Sequence, residues 1–290
     1  MKIIKSINEM HRYIAKLKRS RTKTPNTIGF IPTMGYFHDG HLSLMLEAAK
    51  EHKKVVVSIF VNPTQFAAGE DLEKYPRDEK RDIKMLKDLK VIDCVFIPEP
   101  AEMYPDGYAS YLQLENEMPK ALCGASRPTH FKGVTTVVAK LLNIVNPDSL
   151  YLGQKDMQQA IIIEKMVKEM NYPAKVRICP TVREKDGLAM SSRNEYLSPS
   201  ERNSAPILYK SLQMAESMVE LGERKSSELI KEMKRKLKEE NVEVDYIEVV
   251  SADTLQKTGK IDGKILIAAA IIIGKTRLID NTIVEVKTYQ

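Results

Sequence analysis

Two histidines, His38 and His41, stand three residues apart with Gly40 between them. An apolar run over residues 27–31 precedes them, and an amphipathic segment follows. A strand that passes through a glycine-bearing loop into a helix can bind an anion, because the first helical N–H groups lack partners and the helix dipole favours negative charge. Two imidazole rings add donors that can follow a phosphate group through a reaction. The pattern therefore predicts a site where a nucleoside triphosphate is bound and cleaved.

A second group of candidate residues, Ala189-Met190-Ser191-Ser192-Arg193-Asn194, lies in a polar, turn-rich stretch. Serine hydroxyls beside an arginine can bind phosphate through charge-assisted hydrogen bonds. A polar linker between domains would have the same composition, so the segment alone leaves both interpretations open. Its position at a domain boundary suits a loop that closes over a substrate.

A third group, Gly153-Gln154-Lys155-Asp156, follows a short apolar run. The glycine permits a close approach of the backbone, the lysine can bind phosphate, and the carboxylate can bind ribose hydroxyls. Each of these residue types is also common on ordinary surface loops. What distinguishes this segment is its place directly after a predicted strand.

The pattern disfavours a metal centre and a disulfide framework. No third histidine, cysteine or carboxylate lies at ligand spacing from the histidine pair. The cysteines, Cys94, Cys123 and Cys179, are far apart, odd in number and without a CxxC pair. Cys94 and Cys179 lie in apolar runs, so packing in the core is their expected role.

The elements that must position these groups alternate between strand and helix up to about residue 182. Apolar patterns predict strands at residues 27–31, 54–61, 94–97, 108–114, 149–152 and 175–179, and helices at 7–18, 78–89, 133–145 and 157–170. The helix after the histidines is expected to bury a stripe of Leu42, Met45, Leu46 and Ala49. This alternation indicates an α/β fold with a doubly wound parallel sheet, in which ligands bind at the carboxyl ends of the strands.

The character of the sequence changes after Val182. We place a domain boundary near Asp186, which divides the chain into residues 1–185 and residues 186–290. The second part is predicted to contain helices at 200–221 and 226–240 and strands at 244–251, 264–273 and 282–286. That content is typical of a small α+β domain with an antiparallel sheet.

The composition restricts the class of protein. Hydrophobic residues make up 43% and charged residues 29% of the chain, as in ordinary globular proteins. No apolar run approaches the ~18 residues needed to span a bilayer, and the N-terminus has no signal-peptide block, which favours the cytoplasm and no membrane partner. The net charge of +6 fits anionic substrates. The basic stretch at 224–238 has an apolar stripe, so a solvated helix face is favoured over a nucleic-acid surface.

Together these segments resemble the pantothenate synthetase family along nearly the whole chain. The resemblance is carried by PTMGYFHDGH at 32–41, FVNPTQF at 60–66, YPRD at 75–78, HFKGVTTVVAKLL at 130–142, YLGQKDMQQ at 151–159 and MSSRN at 190–194. The family belongs to the nucleotidyltransferase superfamily that shares an HxGH signature. The resemblance implies a Rossmann-like domain that binds ATP and pantoate, followed by a smaller domain that acts as a lid.

The resemblance further implies ATP-dependent condensation of (R)-pantoate with β-alanine. Pantoate would attack the α-phosphate of ATP to give pantoyl adenylate and pyrophosphate, and the amine of β-alanine would then displace AMP. Such enzymes use Mg²⁺, are usually homodimers and serve the route to coenzyme A. The resemblance leaves the Mg²⁺ ligands unassigned.

Site residues carry over where the motifs match. The resemblance assigns the ATP site to Met34, Gly35, Tyr36, Phe37, His38, Asp39, Gly40, His41, Gly153, Gln154, Lys155, Asp156, Val182, Met190, Ser191, Ser192 and Arg193. It assigns the substrate site to Gln65 and Gln159, with Pro32, Thr33, Met34 and Asn62. The catalytic residues it implies are His41 as general acid, His38 beside the phosphates, and Lys155, Ser191, Ser192 and Arg193.

Four residues depart from the family pattern. Tyr36 and Phe37 replace a smaller pair, Gln154 stands where glutamate is frequent, and Thr129 occupies a usual glycine. Because Gln154 has no carboxylate, the resemblance does not assign this position a contact to Mg²⁺.

Three other functions remain to be separated by experiment. Another HxGH nucleotidyltransferase would need an acceptor-phosphate site where this chain has Gln65 and Gln159. A module that binds ATP without cleaving it would release no pyrophosphate. A tRNA-charging enzyme would need an anticodon-binding appendage or a basic RNA surface, and the sequence indicates neither.

Overall fold

The computed structural model describes residues 1–19, 26–67 and 69–286. Within these ranges a parallel sheet has the strand order β1-β4-β3-β2-β5-β6. Its strands are β1 (Lys2–Ile4), β2 (Ile28–Thr33), β3 (Lys54–Ile59), β4 (Cys94–Phe96), β5 (Ser149–Gly153) and β6 (Lys175–Cys179). The helices of this part of the chain are α1 (Ile7–Arg19), α2 (Asp39–Glu51), α3 (Glu79–Leu89), α4 (Pro100–Met103), α5 (Cys123–Ser126), α6 (His130–Val145) and α7 (Met157–Glu169). The predicted α/β fold with a doubly wound parallel sheet is confirmed.

The strand order reverses between β2 and β5. From β2 the chain builds the sheet outward through β3 and β4, and it later returns to the other side of β2 with β5 and β6. Open α/β sheets bind ligands at such a switch point, outside the carboxyl ends of the strands. The histidine loop follows β2, and the Lys155 loop follows β5. The topology thus places the beginnings of both loops at neighbouring strands.

The C-terminal sheet is antiparallel, with the order β7-β8-β9. Its strands are β7 (Glu243–Ser251), β8 (Gly263–Ile273) and β9 (Thr276–Val286), and the helices of this region are α8 (Pro199–Ser204), α9 (Ile207–Glu220) and α10 (Ser226–Leu237). Buried apolar residues of α9, α10 and β8, among them Leu212, Leu229 and Ile267, form one core. The predicted small α+β C-terminal domain is confirmed in its content.

The chain divides into two compact units. The first contains Met1–Glu115, Arg127–Gly153 and Ile162–Pro180, and the second contains Asn116–Ser126, Gln154–Ile161 and Thr181–Gln290. The last change of unit therefore occurs a little before the predicted boundary near Asp186. Two earlier segments, one of them carrying Lys155, also belong to the second unit.

Several predicted elements differ from the structure. Residues 108–114 form no strand among the described residues, because the Thr135 and Thr136 hydroxyls of α6 use the backbone groups of Leu112, at 2.6 and 3.0 Å. The helix predicted at 200–221 is two helices, since Pro206 has no N–H to continue the ladder. Strand β9 begins earlier than predicted, at Thr276.

The prediction of which α2 side chains are buried was also wrong in part. Leu44, Met45 and Ala48 are buried, whereas Leu46 is 42% exposed. A helix turns about 100° per residue, which brings the three buried side chains onto one face and turns Leu46 away from it. Leu42 and Ala49 pack at the margin of that core.

Cys94 and Cys179 are free thiols buried in the core, as predicted. Cys123 is free and buried as well. In the part of the chain that the structure describes, no helix has both the length and the apolar character needed to cross a membrane.

Candidate functional site

The histidine loop leaves β2 through a tight backbone turn. Thr33 donates its hydroxyl to the Ser58 carbonyl oxygen at 2.6 Å and accepts the N–H of Gly35 at 3.2 Å, which ties the turn to β3. Gly35 has φ 83° and Tyr36 has φ 54°. A Cβ on Gly35 would lie 2.9 Å from an Asp82 carboxylate oxygen, so this position requires glycine for space as well as for conformation.

A buried carboxylate holds this turn in place. Asp82 of α3 accepts the backbone N–H groups of Tyr36 and Phe37 at 2.7 and 2.8 Å, and it is only 1% exposed. Burial raises the pKa of the Asp82 carboxyl above its ordinary value, while the two N–H donors act against that rise. The Arg81 guanidinium lies 5.0 Å from the ring of Tyr36. These contacts stabilise a left-handed backbone that a tyrosine rarely adopts.

The two histidines flank the first turn of α2. The His38 N–H donates to Nδ1 of His41 at 3.4 Å, and the two ring centroids are 4.1 Å apart. Because this contact uses Nδ1 as an acceptor, a neutral His41 carries its proton on Nε2, where it can be donated to a ligand. The side chain of Phe37 is fully buried, so only its backbone could reach a ligand. Asp39, by contrast, is exposed.

A second polar group follows β3. Asn62 is 1% exposed and donates to Oε1 of Gln65 at 3.1 Å and to the Gly133 carbonyl oxygen at 3.2 Å. Gln65 donates in turn to the sulfur of Met34 at 3.3 Å. Burial raises the pKa of Tyr104 to about 12, so its phenol stays protonated and donates to Oδ1 of Asn62 at 2.7 Å. The amide of Gln65 is therefore fixed by neighbours on two sides.

Sequence reasoning missed a charged group that supports the same turn. Arg127 forms a bidentate pair with Glu70 at 2.5 and 2.9 Å, with both side chains mostly buried. Arg127 and His130 also contact the carbonyl oxygen of Gln65, at 3.4 and 2.9 Å. Since the arginine is a donor to the other nitrogen of His130, at 3.3 Å, this histidine donates through Nδ1. No local sequence signal could have found this group, because Arg127 and Glu70 lie 57 residues apart.

The remaining candidate residues lie in the second compact unit, apart from Gly153 at the end of β5. Lys155 and Asp156 form a loose ion pair at 3.7 Å. The N–H of Met190 donates to the Val182 carbonyl oxygen at 3.0 Å, closing a hairpin that joins the two predicted nucleotide segments. Ser191 accepts the N–H of Arg193 at 3.2 Å and caps a short 3₁₀ helix.

The structure places the two glutamines assigned to pantoate in different units. Gln65 lies in the first unit and Gln159 in the second, on the first turn of α7. The neighbouring Gln158 is buried and makes three hydrogen bonds, accepting the Cys123 N–H at 3.0 Å and donating to the carbonyl oxygens of Met118 and Ala121 at 3.0 and 2.6 Å. The first turn of α7 is thus anchored inside its own unit.

The described residues contain no group of three or more His, Cys, Asp or Glu side chains that could hold a metal ion. Mg²⁺ at nucleotide sites takes most of its ligands from phosphate oxygens and water, with one or two carboxylates from the protein. Asp156, whose side chain is 50% exposed, is one such oxygen donor. Asp156 and its surroundings therefore fit a Mg²⁺ ion that is bound mainly by the phosphate oxygens of a nucleotide.

A parallel sheet with its switch point at a glycine-bearing loop and a helix start defines a nucleotide-binding α/β protein. The family model described as pantoate–β-alanine ligase matches residues 2–283. The chain therefore belongs to the pantoate–β-alanine ligase family.

Relatives and solved structures agree with this membership. A pantothenate synthetase from Acetivibrio thermocellus is 50% identical over 287 residues, which covers 99% of this chain and 100% of the relative. The pantothenate synthetase of Thermus thermophilus superposes with a TM-score of 0.90 at 39% identity, covering 97% of this chain and 99% of that one. The Francisella tularensis pantoate–β-alanine ligase, solved in complex with β-γ ATP and β-alanine, gives a TM-score of 0.78 at 36% identity and covers 97% of both chains.

Proposed function

We propose that this chain catalyses the ATP-dependent ligation of pantoate to β-alanine. The observation that carries the proposal is membership of the ligase family over nearly the whole length, residues 2–283. In the first step the pantoate carboxylate attacks the α-phosphorus of ATP, and pyrophosphate leaves with the bonding electrons. In the second step the amine of β-alanine attacks the acyl carbon of pantoyl adenylate, AMP leaves, and the nitrogen loses a proton.

The histidine loop is proposed to bind the phosphates. Charge grows on the leaving pyrophosphate, and donors already in position oppose that charge without having to reorganise. The Nε2–H of His41 is such a donor, because its Nδ1 is used by the N–H of His38. His38 and the first amides of α2 would add further donors at the same helix start. Residues 34–40 complete this wall of the ATP site.

The pantoate site is proposed to be built on neutral amides. Gln65 is supported by Asn62 and contacts Met34, and Pro32 and Thr33 end the neighbouring strand β2. A glutamine amide can orient both the carboxylate and the hydroxyls of pantoate without adding another charge. Gln159, on the first turn of α7, is also proposed to bind pantoate.

The segments around Lys155 and Ser191 are proposed to bind the rest of ATP. Lys155 would bind phosphate, with Gly153, Gln154 and Asp156 around the ribose, and Val182 would meet the adenine through its backbone. Met190, Ser191, Ser192 and Arg193 would close on the triphosphate. Residues 186–290 would then act as a lid on the Rossmann-like part, residues 1–185. Enclosure matters because water would hydrolyse an acyl adenylate.

Mg²⁺ is proposed to accompany ATP, and Asp156 would be one carboxylate donor to it; when bound, the ion would neutralise phosphate charge. We also infer a cytoplasmic homodimer without a nucleic-acid or membrane partner. Sedimentation velocity of the purified chain tests the oligomeric state, because a monomer at micromolar concentration would contradict it.

Product analysis with the purified protein, ATP and Mg²⁺ tests the reaction. Pyrophosphate should be released only when pantoate is present, and AMP and pantothenate should form when β-alanine is added. Pyrophosphate release that ignores pantoate would contradict the proposal. Transfer of AMP onto a phosphorylated acceptor would instead indicate another HxGH nucleotidyltransferase.

A further inference from the structure

We propose that Asn281 and Asp280, neighbours on strand β9, are positioning residues that hold two nucleotide-binding segments of the second unit in fixed relation. The segments are the Lys155 loop and the hairpin that runs from Val182 to Met190. The inference rests on the proposed function, because it takes both segments to contact ATP. Neither Asn281 nor Asp280 belongs to any motif that pointed to the family.

Asn281 holds the Lys155 loop by its backbone. Its Nδ2 donates to the carbonyl oxygens of Gln154 and Lys155, both at 2.9 Å, and the residue is 4% exposed. Both partners are acceptors, so the amide can be oriented only with its nitrogen toward the loop. The Oδ1 atom has no hydrogen-bond partner among the described residues. The hydrogen bonds of this buried side chain are therefore made by its donor alone.

Asp280 holds the hairpin by a buried ion pair. Its carboxylate meets the guanidinium of Arg183 in a bidentate contact, at 2.6 and 3.1 Å, and its side chain is only 2% exposed. The same carboxylate accepts the N–H of Asn281 at 2.8 Å. Two parallel N–H···O bonds fix the direction of the guanidinium as well as its distance. Arg183 directly follows Val182, so this pair fixes the backbone where the adenine is proposed to bind.

The hairpin is braced on its other side. The guanidinium of Arg183 lies 3.8 Å from the ring centroid of Tyr209 and donates to the Gly187 carbonyl oxygen at 3.2 Å. A Cβ on Gly187 would lie 2.3 Å from that tyrosine ring, which leaves the turn no room to shift toward α9. With the tyrosine on one side and Asp280 on the other, the arginine has a single position.

The consequence concerns how the segments are aligned. Two consecutive residues of one strand contact the Lys155 loop and the hairpin respectively, so a shift of either segment relative to β9 breaks a buried hydrogen bond. Bound geometry affects reaction rate steeply, and a displacement of about 1 Å can cost about 10²-fold. The contact of Asn281 is with Gln154 and Lys155, whereas the turn carrying Gln159 is held separately by Gln158. Replacing Asn281 should therefore weaken the binding of ATP more than the binding of pantoate.

The test is Asn281→Asp, with Asn281→Ala as a second variant in case the first does not fold. The aspartate keeps the size of the side chain but turns an oxygen toward two carbonyl oxygens. We expect KM for ATP to rise about tenfold, equivalent to about 1.4 kcal/mol from the two lost hydrogen bonds. KM for pantoate should change by less than about twofold. Asp280→Asn should act in the same direction, because it leaves the Arg183 charge without its partner.

Ile271→Val is the matched control. Ile271 is fully buried on β8 in the same sheet, its side chain has no hydrogen-bonding group, and its truncation leaves a small cavity in the core. It should lower the melting temperature without changing the ratio of the two KM values. If the control changes that ratio equally, or if the Asn281 variants keep a normal KM for ATP, the inference is overturned. A wild-type protein that lacks pantoate-dependent pyrophosphate release would overturn the proposed function instead.

Discussion

Asp82 accepts the backbone N–H of Phe37 at 2.8 Å across 45 residues of sequence, and so joins α3 to the loop that carries both histidines. Its other oxygen accepts the N–H of Tyr36. The left-handed φ values of Gly35 and Tyr36 are thus held from a different helix rather than by local sequence. The direction in which His38 and His41 point consequently depends on a residue outside the histidine motif.

Asp82→Asn tests this dependence. The amide would face one backbone N–H with its own NH₂ group, so one of two buried hydrogen bonds is lost, at a cost of about 1–3 kcal/mol. We expect kcat/KM for ATP to fall about tenfold or more, because the histidines lose their fixed position. Steady-state kinetics with a thermal melt would measure both effects.

Asp78→Asn is the control for the loss of one negative charge from α3. Asp78 caps the same helix by accepting the N–H of Arg81 at 2.9 Å, whereas Asp82 accepts from the loop itself. Asparagine is as good an N-cap as aspartate, so stability and activity should be close to those of the wild type. Equal kinetics for the two variants would refute a positioning role for Asp82.

Gly133→Ala should be destabilising although it introduces a better helix former. In a helix interior this change normally stabilises by about 1 kcal/mol. Here the new Cβ would lie 2.3 Å from the carbonyl oxygen of Thr64, in the turn that carries Gln65. We expect a lower free energy of unfolding in denaturant and a raised KM for pantoate. Gly259→Ala, where a Cβ meets nothing within 4 Å, should change neither.

Much of the fold could be predicted because the parallel strands are apolar on both faces. Val55, Val56 and Val57 are at most 1% exposed, and such a continuous run signals a strand covered by helices. Strand β1 was missed since its three residues carry almost no periodic signal and it is ordered only by pairing with β4. The false strand at 108–114 had the right pattern, but the hydroxyls of α6 compete for its backbone groups.

Of the candidate site, only the loops that are proposed to contact the ligands could be predicted. Glycine, histidine and lysine beside a predicted strand have a chemical meaning that sequence shows. Asp82, Arg127 and Asn281 act through hydrogen bonds to residues 45 to 127 positions away, and no local pattern reports such pairs. Their partners become visible only when the chain is folded.

Glu70→Gln should destabilise the fold near neutral pH, and this loss of stability should disappear in acid. Burial alone would raise the pKa of Glu70, but the hydrogen bonds and charge of Arg127 outweigh it, and the pKa is lowered below its ordinary value. A carboxylate with a lowered pKa stabilises the fold above its unfolded pKa of about 4.5, and that contribution is lost as pH falls through the folded value. Near pH 7 we expect the variant to be about 1–3 kcal/mol less stable, since a charge-assisted pair is broken.

Urea unfolding of wild type and variant at several pH values measures this convergence. The difference in unfolding free energy should shrink as pH is lowered below the ordinary carboxyl pKa of about 4.5, because protonated Glu70 resembles glutamine. Asp88→Asn removes the exposed pair with Lys84 and should have little effect at any pH. A difference for Glu70→Gln that does not shrink at any acid pH where both proteins still fold would contradict the ion-pair explanation.

His41→Ala should remove most activity while leaving the fold intact. The side chain is partly exposed and lies at a helix start, so truncation creates no cavity in the core. Loss of one preorganised donor to a developing anion typically costs about 10²-fold or more in kcat. His41→Gln should recover part of that loss, because its amide can donate from near the position of Nε2, whereas alanine donates nothing. His11→Ala, an exposed histidine on α1, should behave as the wild type. Stopped-flow measurement of pyrophosphate release isolates the first step, and near-normal release by His41→Ala would exclude the role assigned to this histidine.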